Sequence, residues 1–368
     1  MDAISTPMLL ALAGLGLGFI MGATARAGRF CTFGAIEDFV LIRKTLRLRA
    51  WALAIAVAMI CVQILHHTGT ARIDEVFYLQ SRIGWASSIA GGLLFGLGMS
   101  MVGTCGYGVM VRMAGGDLKA LCSFLVLALT GYMTARGITS FIKVYSVDQI
   151  AVDASAAGGQ GLPHLFAWAT GMDVASLWLP AGLIIGGLII FWCLKDTAFR
   201  NSRRDIVAGS LIGLAVAGGF AATGWLGADP FDPLRVQSLT YVLPLGETLV
   251  WLMTFTGASI TFAIAVVLGT FAGALGMALL KDEFFWEGFD DAREMRRHLL
   301  GAAAMGAGGV TALGCTVGQG ISGVSTLAFS PMLTLASILL GASFGLHWLL
   351  TGSAREALQI LTTGAPRS

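Results

Sequence analysis

Apolar stretches of about 18 residues or more recur along the whole chain and restrict its fold more than any other feature. Only 12% of the 368 residues are charged, about half the fraction found in a soluble domain, and the mean hydropathy is +0.80. The net charge of +2 does not suggest a nucleic-acid partner. The sequence therefore predicts an all-α polytopic protein forming a single integral membrane domain over residues 1–368.

The apolar runs predict nine spans and several interrupted segments. The spans lie at about 8–25, 49–67, 85–103, 118–136, 177–195, 205–224, 257–280, 298–313 and 331–350. The first run lacks the basic flank and cleavage site of a signal peptide, so we expect it to be retained. Four segments are too short or too interrupted to span, and we predict re-entrant short helices at 31–42, 105–116, 234–256 and 315–327. Non-helical backbone at membrane depth is stable only where protein groups or a water-filled cavity satisfy its hydrogen bonds. The four segments therefore indicate a pathway that they line.

Lysine and arginine predict the orientation, because cytoplasmic loops carry an excess of them. Under the nine-span model, 18 of the 23 basic residues fall on one side, whereas the long segment 144–176 has none. We therefore predict the N-terminus outside and the C-terminus in the cytoplasm. The mixed-charge segment 281–298 is expected to be a solvated cytoplasmic loop.

A shift of 210 residues aligns Cys105 with Cys315 and several glycines of the two halves with one another. With an odd connector span between them, the two halves would run in opposite directions, which is typical of secondary transporters. We predict a first repeat at 1–136, an outside loop with a connector span at 137–204, a second repeat at 205–350 and a cytoplasmic tail at 351–368.

Three of the six cysteines stand in breaks of the apolar pattern, namely Cys31, Cys105 and Cys315. At the start of a short broken helix, unpaired N–H groups and the helix dipole favour an anion. A thiol is a weak donor, which suits a soft and polarisable sulfur anion. We predict that these three thiols line the substrate pathway. The others lie in continuous apolar runs and are expected to be small packing residues: Cys61, Cys122 and Cys193.

Five further residues are candidates for supporting roles around the thiols: Arg26, Gly106, Arg112, Gly314 and Gln319. Arg112 either attracts anions or pairs with Asp117, and the Gln319 amide either reaches the substrate or satisfies a buried loop. No CxxC pair or zinc spacing is present, so neither a metal site nor a cofactor is expected. Tryptophans near span ends, among them Trp51, are expected in the aromatic belt at the membrane surface.

The chain resembles the YeeE/YedE family of sulfur transport proteins. The resemblance is carried by GGLLFGLGMSMVGTCGYGVMVRMAGG in the first half and by RVQSLTYVLPLGETL and GAAAMGAGGVTALGCTVGQGISGVSTLA in the second, with RFCTFGAIED as a further element. It covers most of the chain except 137–204. One departure is Thr104, which stands where many members of the family have the middle glycine of Gly-Gly-Cys; this leaves the exact substrate open.

The resemblance implies a bacterial inner-membrane protein with nine spans and short re-entrant helices related by a pseudo-twofold axis. It also implies that Cys31, Cys105 and Cys315 pass thiosulfate along through S–H contacts, and that a small sulfur-carrier protein of the TusA type acts on the cytoplasmic side. The leading hypothesis is uptake of thiosulfate or a related inorganic sulfur anion, without enzymatic turnover.

Two other functions remain open at this point. A membrane sulfurtransferase or thiol oxidoreductase would form a persulfide or disulfide on one of the cysteines, although the missing CxxC disfavours it. A metal-ion channel is disfavoured by the scarcity of carboxylate and histidine ligands in the spans.

Overall fold

The computed structural model describes residues 6–227 and 235–363, and the regular structure of these residues is almost entirely helical, which confirms the predicted all-α membrane fold. In chain order the helices are α1 Thr6–Gly28, α2 Thr32–Ile42, α3 Leu46–His67, α4 Trp85–Val102, α5 Gly106–Met113, α6 Leu118–Arg136, α7 Thr139–Tyr145, α8 Leu162–Thr170, α9 Val174–Lys195, α10 Thr197–Asn201, α11 Arg203–Leu226, α12 Val242–Met253, α13 Phe262–Leu280, α14 Ala292–Thr311, α15 Phe329–Thr351 and α16 Ala354–Thr363. A π-helical segment, Gly318–Gly323, precedes α15, and β1 Arg82–Ile83 pairs antiparallel with β2 Val152–Asp153. Four predicted segments extend beyond the described residues: the first repeat at 1–5, the second repeat at 228–234, the interrupted segment 234–256 at residue 234, and the tail at 364–368.

Eight of the nine predicted spans coincide with helices that are long and apolar enough to cross a membrane, counted over the described residues. The ninth, predicted at 298–313, belongs to α14, which begins six residues earlier. The Asp291 carboxylate caps this helix by accepting a hydrogen bond from the Glu294 N–H. The added first turns are charged, so α14 as a whole is less apolar than the other long helices.

Short helices lie where the sequence predicted interrupted segments: α2, α5, α12 and the π-helical segment. Left-handed backbone ends the long helix before two of them. Gly103 has φ +76° after α4, while Leu313 and Gly314 have φ +60° and +156° after α14. A residue with a side chain is strained at such angles, so these positions explain why the apolar pattern breaks just before Cys105 and Cys315.

The long helices pack in matching pairs. Helix α1 packs on α13, and correspondingly α11 packs on α3. Helix α4 packs on α15, and correspondingly α14 packs on α6. Two further pairs, α1 with α11 and α4 with α14, join the two halves of the chain directly.

Glycines allow α4 and α14 to approach closely. A Cβ at Gly98 would lie 2.4 Å from the Gly301 carbonyl oxygen, and one at Gly308 would lie 2.7 Å from the Gly91 carbonyl oxygen. Both distances are too short for a side chain, so the crossing depends on small residues, as is common between membrane helices.

The basic segments that the sequence assigned to one side do lie together. Arg26 pairs with Glu283 at 3.1 Å, and Arg49 pairs with Asp196 at 3.2 Å. The segment 281–298 is more than a solvated loop, since its acidic side chains surround Lys119: the Nζ atom lies 3.1 Å from Glu294 and 3.2 Å from Glu287. Most of the segment is exposed, as predicted for a solvated loop, although its last residues, 292–298, belong to α14. The ion pairs were not predicted, because their partner is on α6 and remote in sequence.

The opposite end carries the connection through α7 and α8. The Gly161 and Ala328 backbones form a bridge there. Trp178 of α9 is buried between the rings of His66 and His164, with ring centroids 5.3 and 5.4 Å away.

Candidate functional site

The three cysteines that the sequence predicts to line the pathway occupy equivalent backbone positions. Each cysteine carbonyl accepts a first helical hydrogen bond from the residue four positions on: Ala35 for Cys31, Val109 for Cys105 and Gln319 for Cys315, at 2.8–3.0 Å. Cys31 and Cys105 are the N-caps of α2 and α5, with extended backbone. Each thiol therefore stands at the beginning of a short helical segment, where backbone N–H groups are not used by the preceding turn.

The fold brings these three thiols together although up to 284 residues separate them in sequence. Cys31 Sγ lies 3.7 Å from the Thr104 hydroxyl, beside Cys105. Cys105 in turn lies near both Cys31 and Cys315. Cys105 and Cys315 are completely buried, whereas Cys31 is partly accessible.

Hydroxyl and amide groups add polar character around the thiols. The Thr316 hydroxyl is buried beside Cys105, whose thiol is the one group near enough for a weak hydrogen bond to it within the described residues. Gln319 donates from Nε2 to the Ala312 carbonyl at 2.9 Å, while its Oε1 is buried and without a partner in the same part of the chain. The Gly318 N–H donates to Cys315 Sγ at 3.4 Å. The unpartnered Gln319 oxygen and the weakly paired Thr316 hydroxyl mark this region as polar, and burying such groups is costly unless a ligand or water satisfies them.

Tyrosine rings form an apolar wall beside the thiols. Tyr107 and Tyr241 lie with ring centroids 4.9 Å apart. Their hydroxyl groups are occupied elsewhere: Tyr107 donates to the Met21 carbonyl at 2.6 Å, and Tyr241 lies 3.0 Å from the Thr270 hydroxyl. Tyr241 stands 210 residues after Cys31, immediately before α12, so the position that the predicted repeat equates with Cys31 holds an aromatic ring and not a thiol.

Trp51 connects two of the thiol-bearing segments. Its indole N–H donates to the Thr32 hydroxyl at 3.0 Å, next to Cys31. Its ring also covers Gly320 in the segment that follows Cys315, where a Cβ would lie only 2.4 Å from it. Trp51 is 5% exposed, so its predicted place in an aromatic belt is wrong. Sequence position near a span end suggested the belt, and only the packing of α3 against α2 reveals the buried role.

A cavity of about 400 Å³ extends from the thiol region to the basic side of the protein. Gly103 and Thr104 line it near the thiols, and charged side chains line it elsewhere: Glu37, Arg112, Asp117, Lys119, Glu287, Glu294 and Arg297. The charges of both signs are interspersed, because several of them pair across the cavity wall.

The supporting residues predicted from sequence divide into two groups. Arg26 lies away from the thiols, since its guanidinium pairs with Glu283 and packs over Gly115. Arg112 pairs with Asp117, since its Nε atom lies 3.5 Å from that carboxylate. Its side chain also lines the cavity, and its attraction of anions stays a prediction.

The other three candidates lie beside the thiols. Gly106 is the first residue of α5, and Gly314 supplies the left-handed break before Cys315. Gln319 satisfies a loop carbonyl with its amide N–H and keeps its carbonyl oxygen free of partners among the described residues. Thr316, Tyr107 and Tyr241 were missed by sequence reasoning, which had no pattern to separate them from packing residues.

Comparison with known proteins finds related sequences over almost the whole chain. Two relatives are each named thiosulfate transporter TsuA. The protein from Spirochaeta thermophila is 27% identical over 346 residues, covering 92% of this chain and 98% of the relative. The protein from Escherichia coli is 24% identical over 367 residues, covering 96% and 98%. The sequence pattern of the family described as Sulphur transport matches residues 27–344. The chain is therefore a multi-pass membrane protein that belongs to the sulphur transport (YeeE/YedE) family.

Proposed function

We propose that this protein takes up thiosulfate, or a closely related inorganic sulfur anion, across the bacterial inner membrane. The route would pass between the two halves of the chain and along Cys31, Cys105 and Cys315. The observation that carries the proposal is the convergence of these three thiols at the beginnings of short helical segments. The names of the two relatives support the choice of substrate.

The chemistry of the site suits such an anion. A dianion loses a large hydration free energy on entering a bilayer, and neutral donors must replace part of it. N–H groups at the beginnings of α2 and α5 offer dipoles of the right sign. Thiols are weak donors matched to a polarisable terminal sulfur, so they can hold the anion without trapping it. Thr104 and Thr316 add hydroxyl groups suited to its oxygen atoms.

We further propose that the halves 1–136 and 205–350 are inverted repeats, joined by the outside loop and connector span at 137–204. If α1, α3, α4 and α6 correspond in that order to α11, α13, α14 and α15, the α1–α13 pair corresponds to the α11–α3 pair. In the same way, the α4–α15 pair corresponds to the α14–α6 pair. The glycine contacts at the crossing of α4 and α14 follow the same correspondence, because the contact of Gly98 with Gly301 corresponds to the contact of Gly308 with Gly91. This regularity supports a pseudo-twofold axis through the contact of α4 with α14.

The orientation is proposed from the basic residues, with the N-terminus outside and the C-terminal tail, 351–368, in the cytoplasm. The ion pairs that gather the basic segments at one end of the molecule support a common side for them. Reporter fusions should place residue 160 outside and residues 200 and 290 inside. A cytoplasmic reporter at residue 160 would contradict both the orientation and the inverted repeats.

The charged cavity is then the exit toward the cytoplasm. Arg112 and Arg297 line it and would attract the arriving anion, while the acidic side chains prevent tight retention. A TusA-type carrier at this opening remains a prediction from the family resemblance, and pull-down with the purified protein would test it.

Uptake into proteoliposomes tests the proposed function directly. Replacing Cys105 or Cys315 with alanine should abolish uptake of labelled thiosulfate, since both thiols are completely buried within the proposed route. The matched controls are Cys61→Ala and Cys122→Ala, which change thiols on other faces of the helices and should retain uptake. Equal losses in both sets would overturn the assigned route.

Labelling the two sulfur atoms of thiosulfate separately distinguishes transport from sulfur transfer. Transport delivers both labels in equal amounts to the vesicle interior. Delivery of one label, with the other retained as a protein persulfide, would instead establish the enzyme and refute the proposal.

A further inference from the structure

An open groove of about 610 Å³ lies between α1, α11 and α13 and shares no lining residue with the charged cavity. At Gly28 and Ala208 it adjoins a small cavity that Cys31 also lines. Its walls are apolar over most of their length and include Phe19, Val207 and Leu211. These three side chains are 47%, 54% and 39% exposed. Exposed apolar surface of this kind on a membrane-spanning helix faces lipid chains.

The groove runs along the helices from one end toward the middle of the spans. On α1 its lining extends from Phe19 to Gly28, and on α11 from Arg203 to Leu211. At 1.5 Å per residue, these stretches are roughly 12–14 Å long. The groove therefore reaches from the level of the helix ends, where lipid headgroups lie, to the depth of their acyl chains.

Positive charge is concentrated at the end of the groove that lies nearest the C-terminus of α1 and the N-terminus of α11. Arg203 and Arg204, in the first turn of α11, line the groove, and Lys281 Nζ lies 3.4 Å from the carbonyl oxygen of Ala27, another lining residue. The Arg203 side chain has no ion pair or hydrogen bond within the described part of the chain, and the side chain of Arg204 is 53% exposed.

One carboxylate faces this cluster. Asp205 Oδ1 lies 3.6 Å from Arg204 Nη2, and its other oxygen accepts a hydrogen bond from the Ser202 hydroxyl at 2.6 Å. Three cations against one carboxylate leave a local excess of positive charge. The N-terminus of α11 adds a dipole of the same sign.

We propose that this groove is a binding site for an anionic glycerophospholipid, with an acyl chain along α1 and α11 and the phosphate between Arg203 and Arg204. Guanidinium groups match phosphate oxygens in geometry and charge. A zwitterionic lipid brings its own cation into an already positive cluster, so the site discriminates by headgroup charge. Phosphatidylglycerol has the required chemistry.

Native mass spectrometry of the full-length protein in neutral detergent tests the site. Titration with phosphatidylglycerol and with phosphatidylcholine of the same acyl chains should show tighter binding of the first phosphatidylglycerol molecule. The double variant Arg203→Gln/Arg204→Gln should weaken that binding about 30-fold, as expected for two arginines near an anionic headgroup. The matched control Arg293→Gln/Arg296→Gln removes two exposed charges from α14, outside the groove, and should stay within about twofold of the original protein.

A second pair of variants tests the apolar part. Val207→Trp fills the groove and should abolish tight binding, whereas Leu214→Trp lies two turns further along α11, outside the lining, and should not. Equal affinity for the two lipids, or unchanged affinity in the double arginine variant, would overturn the proposal. Displacement of the lipid by glycerol phosphate alone would also overturn it, because the site would then recognise free phosphate without the groove.

Discussion

The hydrogen bond from Trp51 to Thr32 offers a sharp test of how the thiol region is held together. Replacing Thr32 with valine keeps the shape of the side chain and removes the hydroxyl acceptor. Both residues are buried, at 5% and 3% exposure, and the donor–acceptor distance is 3.0 Å. The change therefore leaves a buried indole N–H without its partner.

The expected loss in the free energy of unfolding follows from two typical magnitudes, one for a hydrogen bond between membrane helices and one for a buried donor without a partner. Hydrogen bonds between membrane helices contribute about 0.6 kcal/mol on average and at most about 1.7 kcal/mol. A buried donor left without a partner costs about 1–3 kcal/mol. Because the indole ring is enclosed between α2 and Gly320 and cannot turn to solvent, we expect a loss of about 1.5 kcal/mol in the free energy of unfolding.

Equilibrium unfolding in mixed micelles measures this loss, and a double-mutant cycle assigns it. In a Trp51→Phe background no N–H remains, so Thr32→Val should cost roughly 1 kcal/mol less than in the original protein. Thr311→Val is the control, since within the described residues that hydroxyl donates to the Ala307 carbonyl of its own helix and to no other group. The reasoning is refuted if Thr32→Val costs the same in both backgrounds.

Three further predictions concern packing, pH and substrate choice. Gly308→Ala should destabilise the protein by about 1–3 kcal/mol in thermal or denaturant unfolding, because its Cβ would meet the α4 backbone, whereas Gly276→Ala, with open space around it, should be nearly neutral. Burial lowers the pKa of His164 below its ordinary value; the folded protein then binds fewer protons than the unfolded chain, so stability should fall as the pH drops below about 6.5. Replacing His164 with glutamine should flatten that profile, and an unchanged profile would contradict the assignment. Cys105→Ser should keep weak thiosulfate uptake and shift preference toward sulfate in competition assays, because a hydroxyl is a harder donor. Cys105→Leu, which removes the donor, should have no uptake. Complete loss of uptake in Cys105→Ser as well would argue against a donor role.

The sequence alone determined the class of fold and most of its long helices. Apolar length is a local property, and a membrane span needs little else, so eight spans could be placed without tertiary information. The glycine-rich breaks likewise located the short helices, since left-handed backbone such as that at Gly103 and Gly314 depends on local residue type. The same breaks selected Cys105 and Cys315 from six cysteines.

Contacts between distant segments were decided only by the tertiary structure. Arg26 and Arg112 look alike in sequence, yet one pairs with Glu283 away from the thiols and the other lines the charged cavity. Trp51 has the sequence position of a belt residue and instead joins Thr32 to the Cys315 segment.

The physical reason is the same in these cases. In a membrane protein most side chains are apolar whether they face lipid or protein, so hydrophobic patterning carries little information about which face is inward. What distinguishes the faces is close packing and the satisfaction of buried polar groups, and both depend on partners far away in the chain. The sequence could therefore indicate which residues interrupt the helices, while only the assembled helices decide which of those residues meet.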